Sequence, residues 1–259
     1  MQKSSESSPL NPLNYRINMH EDLSLERIFP DQMNMEDAFD RKTLQLHIER
    51  YAFAIRNGKS GDVLDIACGT GYGSFQLLQS EKYAQSRVTA VDIDQNAIDY
   101  ANRRYSNPSI HFVCADAFLF QYPGSFDTII SLETIEHVQD TGLFVKKLHS
   151  LLKKDGILIV SAPVTPSTDG NPHHLSDFSV SRFKKIFETS GFIIESEFRQ
   201  VQPYTLKSIL HSDNQRLSNT RKNLAKYYFR HPAVFFARIW SLFTDGLNNK
   251  YMTLALRKR

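Results

Sequence analysis

The residues best suited by type to do chemistry stand in Ser131-Leu132-Glu133-Thr134-Ile135-Glu136-His137. On a helical turn, Glu133, Glu136 and His137 occupy positions i, i+3 and i+4 and share one face. Two carboxylates and an imidazole on one face are donors for a divalent cation such as magnesium or manganese. The imidazole is equally able to take a proton from a nucleophile with no metal present. A plainer role also fits. Glu136 suits a helix N-terminus, and His137 could simply hydrogen-bond a loop.

A second stretch has the spacing of a ligand cradle. Val63-Leu64-Asp65-Ile66 has strand character and runs into Ala67-Cys68-Gly69-Thr70-Gly71-Tyr72-Gly73-Ser74. Glycines serve where the backbone takes positive φ or passes close to a ligand. A loop that opens a helix also aims free N–H groups at whatever sits above it. Asp65 lies inside the strand, where an apolar residue would otherwise be favoured. A second strand, Val88–Val91, ends in Asp92, about 20 residues beyond the loop, where an acid accepts from ribose hydroxyls. A nicotinamide fingerprint wants glycine at all three positions of G-x-G-x-x-G. Gly69 and Gly71 fit, but Ser74 holds the third position.

The elements that must position these residues alternate along the chain. A helical pattern covers Glu36–Asn57, with Leu44, Ile48, Tyr51, Ala52 and Ile55 as its apolar face. Strand 1 and the glycine loop come next, then a helix over Ser74–Gln79 and the second strand. The order continues with a helix over Gln95–Tyr105, strand 3 at Ile110–Val113 and strand 4 at Phe126–Ser131. A helix at Phe144–Leu152, strand 5 at Gly156–Ser161, a helix at Val180–Ser190 and strand 6 at Phe192–Gln200 follow. Strict alternation implies a doubly wound, mostly parallel sheet. Ile157-Leu158-Ile159-Val160 is an unbroken apolar run, as in a strand buried on both faces.

The pattern Asp-x-Ala-x-Gly-x-Gly-x-Gly from Asp65 to Gly73 resembles motif I of the class I S-adenosylmethionine-dependent methyltransferases, with Ala67 where that family usually has Gly. The resemblance implies a Rossmann-like seven-stranded sheet with a helical lead-in. Lys250–Arg257 would form the seventh strand, antiparallel between strands 5 and 6. It also implies S-adenosylmethionine as cofactor. The loop with Ala67, Cys68, Gly69 and Gly71 would face its methionine part and Asp92 its ribose, with Asp65 and Ile93 also among the cofactor-binding residues. Asp116 and Ala117 would face its adenine, and Ser131 and Leu132, at the carboxyl end of strand 4, complete the implied cofactor-binding set. Asp116 reads equally well as a helix cap.

The text Glu-x-x-Glu-His is similar to that of metal-assisted 2′-O-methyltransferases of small RNA 3′ ends and of O-methyltransferases of ubiquinone biosynthesis. In the RNA enzymes a later histidine completes the site, and Asn171-Pro172-His173-His174 offers His174. The implied candidates are thus His137, Glu133 and His174 for catalysis, and Glu133, Glu136, His137 and His174 for a cation. Arg27-Ile28-Phe29-Pro30 and His47-x-x-Arg50-Tyr51-x-Phe53-Ala54 resemble a bacterial subgroup found beside polysaccharide-assembly enzymes.

Composition narrows the partners. The chain has 259 residues, 41% of them hydrophobic, and a net charge of +3. That charge does not supply the strongly basic groove an RNA substrate would want. Cys68 and Cys114 build no disulfide framework and are expected as reduced thiols in a cytoplasmic protein. The first 34 residues lack a signal-peptide pattern. By the resemblance, residues 1–34 form a lead-in, residues 35–259 the methyltransferase domain, and residues 203–249 an insertion between strands 6 and 7. Tyr227–Phe243 within it is aromatic and basic, and too interrupted by charge to span a membrane. A lid, a homodimer interface, a membrane-surface helix and a helix packed on its own domain all fit it. The expected reaction is O-methylation of a small molecule or sugar hydroxyl. RNA 2′-O-methylation and a non-catalytic cofactor-binding protein are the alternatives.

Overall fold

The computed structural model describes residues 27–165, 174–203 and 248–259, with scattered positions between 225 and 240. Most of the expected insertion, including about half of the stretch 227–243, and the text Asn171-Pro172-His173 lie outside the described residues.

Seven strands form one sheet: β1 (Asp62–Ile66), β2 (Arg87–Asp92), β3 (Ile110–Cys114), β4 (Phe126–Ser131), β5 (Leu152–Pro163), β6 (Phe192–Gln202) and β7 (Asn249–Lys258). Their order is β3-β2-β1-β4-β5-β7-β6. The first five pair in parallel. β7 runs antiparallel to both β5 and β6, the place that the family resemblance implied for it.

The helices described beside the sheet are α1 (Ala38–Asn57), α2 (Tyr72–Leu78), α3 (Gln95–Arg104), α4 (Thr141–Leu151) and α5 (Val180–Glu188). Two apolar layers fill the space between helices and sheet. Tyr51, Phe53, Leu77, Ile98 and Ala101 pack on Val63, Val88, Ile130 and Ile157. Phe144, Leu148, Phe183 and Phe187 pack on Leu64, Ile66, Ile129 and Leu158. Alternate residues of each strand thus serve opposite faces, which explains the unbroken apolar runs. Strand order reverses between β1 and β4, so the carboxyl ends of those strands flank a crevice of the kind that takes ligands.

One helix is rotated relative to its apolar pattern. α1 buries Leu46, Arg50, Tyr51, Phe53 and Ala54, whereas Ile48 is exposed. The cause is Arg50. Its Nε donates to Gln200 Oε1 on β6 at 2.9 Å, its Nη2 lies 3.8 Å from Glu133 Oε2, and its guanidinium sits 4.6 Å over the Tyr251 ring. A polar partner set on the sheet turns the helix further than hydrophobic periodicity alone would. The helix starts where Asp37 accepts from the N–H groups of Phe39 and Asp40.

Candidate functional site

Strand β1 ends at Ile66, and the chain turns at once through Ala67 at φ 59°, Gly69 at 57° and Gly71 at 80°. Three left-handed residues in five make a tight loop. Cys68 N–H donates to Val91 O at 2.9 Å, which pins the loop to β2. Gly71 caps α2, and a methyl group there would strike Phe112 at 2.5 Å and Ala101 at 2.8 Å. Gly69 differs. A methyl group there would meet no heavy atom within 4 Å, so its side of the loop faces open space.

Two carboxylates organise the loop. Asp65 is 1% exposed. It accepts from Ser74 Oγ at 2.5 Å and from the Tyr51 hydroxyl at 3.1 Å. Ser74 therefore stands at the third fingerprint position because its hydroxyl ties down Asp65. Gly73 precedes it because the Tyr51 ring occupies the place of a side chain. Asp92 sits at the end of β2. Its Oδ2 accepts from Gly69 N–H at 2.8 Å, and its Oδ1 from Asp94 N–H at 3.0 Å.

Burial pushes the Asp65 carboxyl up to about 6 from an ordinary 3.8, against the lowering effect of its two hydroxyl partners, with the nearby Asp92 charge raising it further. The folded value lies above that of the unfolded chain, so the folded protein binds the extra proton between about pH 4 and 6. This contribution to stability is present in full below pH 4 and lost as pH rises through 6. Its size is on the order of 3 kcal/mol. Asp65→Asn keeps an oxygen for both hydroxyls and removes the charge. Urea unfolding at pH 4.5 and 7.5 should show a smaller fall in stability with rising pH for Asp65→Asn than for the wild type. Equal falls would contradict this.

Burial also raises the Cys68 thiol well above its ordinary value, consistent with a packing role. Both cysteines are free thiols. Ile93 is partly exposed, and Asp116 and Ala117 are half-buried after β3. Asp116 Oδ1 accepts from Phe118 N–H at 2.8 Å, so it does cap the following turn. Leu132 is nearly buried, and Ser131 Oγ is buried with no hydrogen-bond partner among the described residues.

The segment after β4 departs from the expected helix. A short 3-10 turn covers Ile135–His137, and Glu133 precedes it at φ 50°. Glu133 therefore does not share a helical face with Glu136 and His137. Its N–H donates to Ser161 Oγ at 3.0 Å, and Ser161 Oγ donates back to Glu133 Oε1 at 2.6 Å. With Arg50 at the other oxygen, the carboxylate is engaged on the α1 side of the sheet. This corrects its place in the expected cation set.

The remaining three candidates do come together. Ligand atoms of Glu136, His137 and His174 all lie within 4.8 Å of one another, with Glu136 buried and both histidines half-buried. The His137 and His174 rings meet edge to face, their centroids 4.9 Å apart. The 3-10 turn holds the His174 segment directly, because Glu136 O accepts from Leu175 N–H at 2.8 Å and from Ser176 N–H at 3.1 Å.

Sequence reasoning missed Arg50, Tyr51, Ser74 and Ser161 as polar parts of this region, and it left Arg27 unassigned. Ser74 carried a local signal as the residue breaking a glycine fingerprint, and Arg50 and Tyr51 stood in a short family-like text that gave them no polar role.

A family model described as a methyltransferase domain matches residues 57–222. A malonyl-[acyl-carrier protein] O-methyltransferase of Acetivibrio thermocellus is 37% identical over 100 residues, 39% of this chain and 35% of that one. An (S)-coclaurine N-methyltransferase of Thalictrum flavum is 31% identical over 135 residues, 51% of this chain and 36% of that one. The chain thus spans about a third of these two curated relatives. The N-methyltransferase NodS of Bradyrhizobium japonicum, solved with S-adenosyl-L-homocysteine, superposes with a TM-score of 0.60 at 15% identity, over 92% of this chain and 98% of that one. The likeness to NodS concerns the fold.

Proposed function

The chain belongs to the methyltransferase domain family, and from that premise we propose that it transfers a methyl group from S-adenosylmethionine to an acceptor hydroxyl on a small molecule or sugar. One observation carries the cofactor half of this reading. Asp92 ends β2 beside the point where strand order reverses, and the same carboxylate holds the N–H of Gly69, the loop residue that opens on free space. That arrangement suits a ribose bound by Asp92 with its methionine part over the glycine loop. The unpartnered Ser131 hydroxyl at the carboxyl end of β4 suits a polar ligand in the same crevice.

The cofactor supplies an electrophilic methyl group on a sulfonium. The chain's own residues must hold it, exclude water, and take the acceptor's proton. Glu136, His137 and His174 are the group we assign to the acceptor. A histidine of this group is a suitable base. Their clustering also favours a second reading, in which the three hold a divalent cation that polarises the acceptor oxygen. Carboxylate and imidazole donors suit magnesium or manganese. No described helix is long and apolar enough to cross a membrane.

The test of the cofactor half is Asp92→Ala. Loss of a carboxylate bonded to ribose hydroxyls is expected to weaken S-adenosylhomocysteine binding by about ten- to a hundredfold. Unchanged affinity by calorimetry would remove the ribose assignment.

A further inference from the structure

The segment before α1 crosses the crevice just described. Arg27 Nη2 lies 2.9 Å from Asp92 Oδ1, and Nη1 lies 3.3 Å from Asp94 Oδ2. The three side chains are 10%, 5% and 12% exposed, so the ion pairs are nearly shut off from solvent. The next residue is tied to the loop itself, because Thr70 Oγ1 donates to Ile28 O at 2.6 Å. Phe29 packs edge to face on Tyr100 of α3 with centroids 5.1 Å apart, and the Tyr100 hydroxyl donates to Asp31. Gln32 N–H donates to Phe29 O at 2.9 Å within the 3-10 turn Pro30–Gln32. Four successive anchors thus reach the end of β2, the glycine loop and α3.

A carboxylate has about four lone-pair sites. In Asp92 two are taken by the N–H groups of Gly69 and Asp94, and a third by Arg27. A ribose diol needs two. The guanidinium and the diol therefore compete for the same carboxylate.

We propose that Arg27–Gln32 is an autoinhibitory strap: Arg27 holds the ribose-accepting carboxylate, and cofactor enters only when the strap releases Asp92. The inference rests on the reading that Asp92 takes the ribose. Apparent affinity is then the intrinsic affinity reduced by the fraction of open protein. Phe29 and the Ile28 carbonyl anchor the strap without touching Asp92, so loosening Phe29 should act in the same direction as removing Arg27.

The experiment is calorimetry and stopped-flow binding of S-adenosylhomocysteine to the wild type, Arg27→Ala and Phe29→Ala. Circular dichroism confirms that each is folded. Both variants are expected to bind about tenfold more tightly, with the gain in the association rate. Phe29→Ala keeps the proposal testable if Arg27→Ala fails to fold. Binding by both variants that is no tighter than wild type overturns the strap alone. Weaker binding in Arg27→Ala does so too, because it would make Arg27 a contact to the cofactor. No binding by any of the three proteins overturns the ribose reading and the strap with it.

Discussion

His174→Ala is expected to lower methyl transfer by about 10²- to 10⁴-fold, the usual contribution of a positioned acid or base, while S-adenosylhomocysteine affinity stays within about twofold of wild type. The split follows from geometry. His174 meets His137 and Glu136 at the turn after β4, whereas the glycine loop and Asp92 lie after β1 and β2. Glu136→Ala should do similar damage, since that buried carboxylate lies within 4.8 Å of both imidazoles. Chelator separates the two roles open to the cluster. Lost turnover, restored by added magnesium or manganese, assigns a cation to it. Full turnover in excess chelator assigns a histidine base. Wild-type turnover in His174→Ala would remove the cluster from the reaction altogether.

Gly73→Ala is expected to be the most destabilising single change in the glycine loop. A methyl group there would lie 1.9 Å from Tyr51 Cζ and 2.1 Å from Cε2, so the ring must move. Overpacking of this kind costs about 1–3 kcal/mol and at times more. Moving the ring also breaks the Tyr51 hydroxyl's bond to buried Asp65, a further cost of about 1.5–3 kcal/mol for a bond to a charged group. The helix-propensity gain of Ala over Gly returns only about 1 kcal/mol. The net is about 3 kcal/mol, or a fall in Tm of about 6–12 °C for a chain of this size. Gly69→Ala provides the contrast. Its φ of 57° strains an alanine by about 1–2 kcal/mol, but the methyl meets nothing within 4 Å. It should keep most of its stability and lose cofactor affinity if the open space beside Gly69 is where the proposed cofactor lies. Thermal melts of the two variants side by side check this. A Gly73→Ala protein as stable as wild type would mean that α1 yields more readily than the Tyr51 packing implies.

What was legible in the sequence follows from locality. Hydrophobic runs and turn residues are local, and they placed β4 at its observed bounds and the other strands close to theirs. The strand character of β7 was legible for the same reason, while its pairing with β5, about 90 residues earlier in the chain, was implied only by the family resemblance. Glu133 was misread because its conformation is set by Ser161, 28 residues away, rather than by helical spacing. The face of α1 was misread because Arg50 answers to Gln200, 150 residues away. Arg27 was singled out only as part of a short family resemblance, since the role of a single arginine outside any periodic element depends on the carboxylates it meets in space. The Glu136, His137 and His174 group was legible from residue type and family resemblance, and its clustering needed the fold.

The most direct test of the central claim is a calorimetric titration of the purified wild-type protein with S-adenosylhomocysteine and, separately, with NAD. The account predicts saturable one-to-one binding of the first and none of the second, because Ser74 stands where a dinucleotide fingerprint needs its third glycine. Binding of NAD, or no binding of S-adenosylhomocysteine, would contradict it.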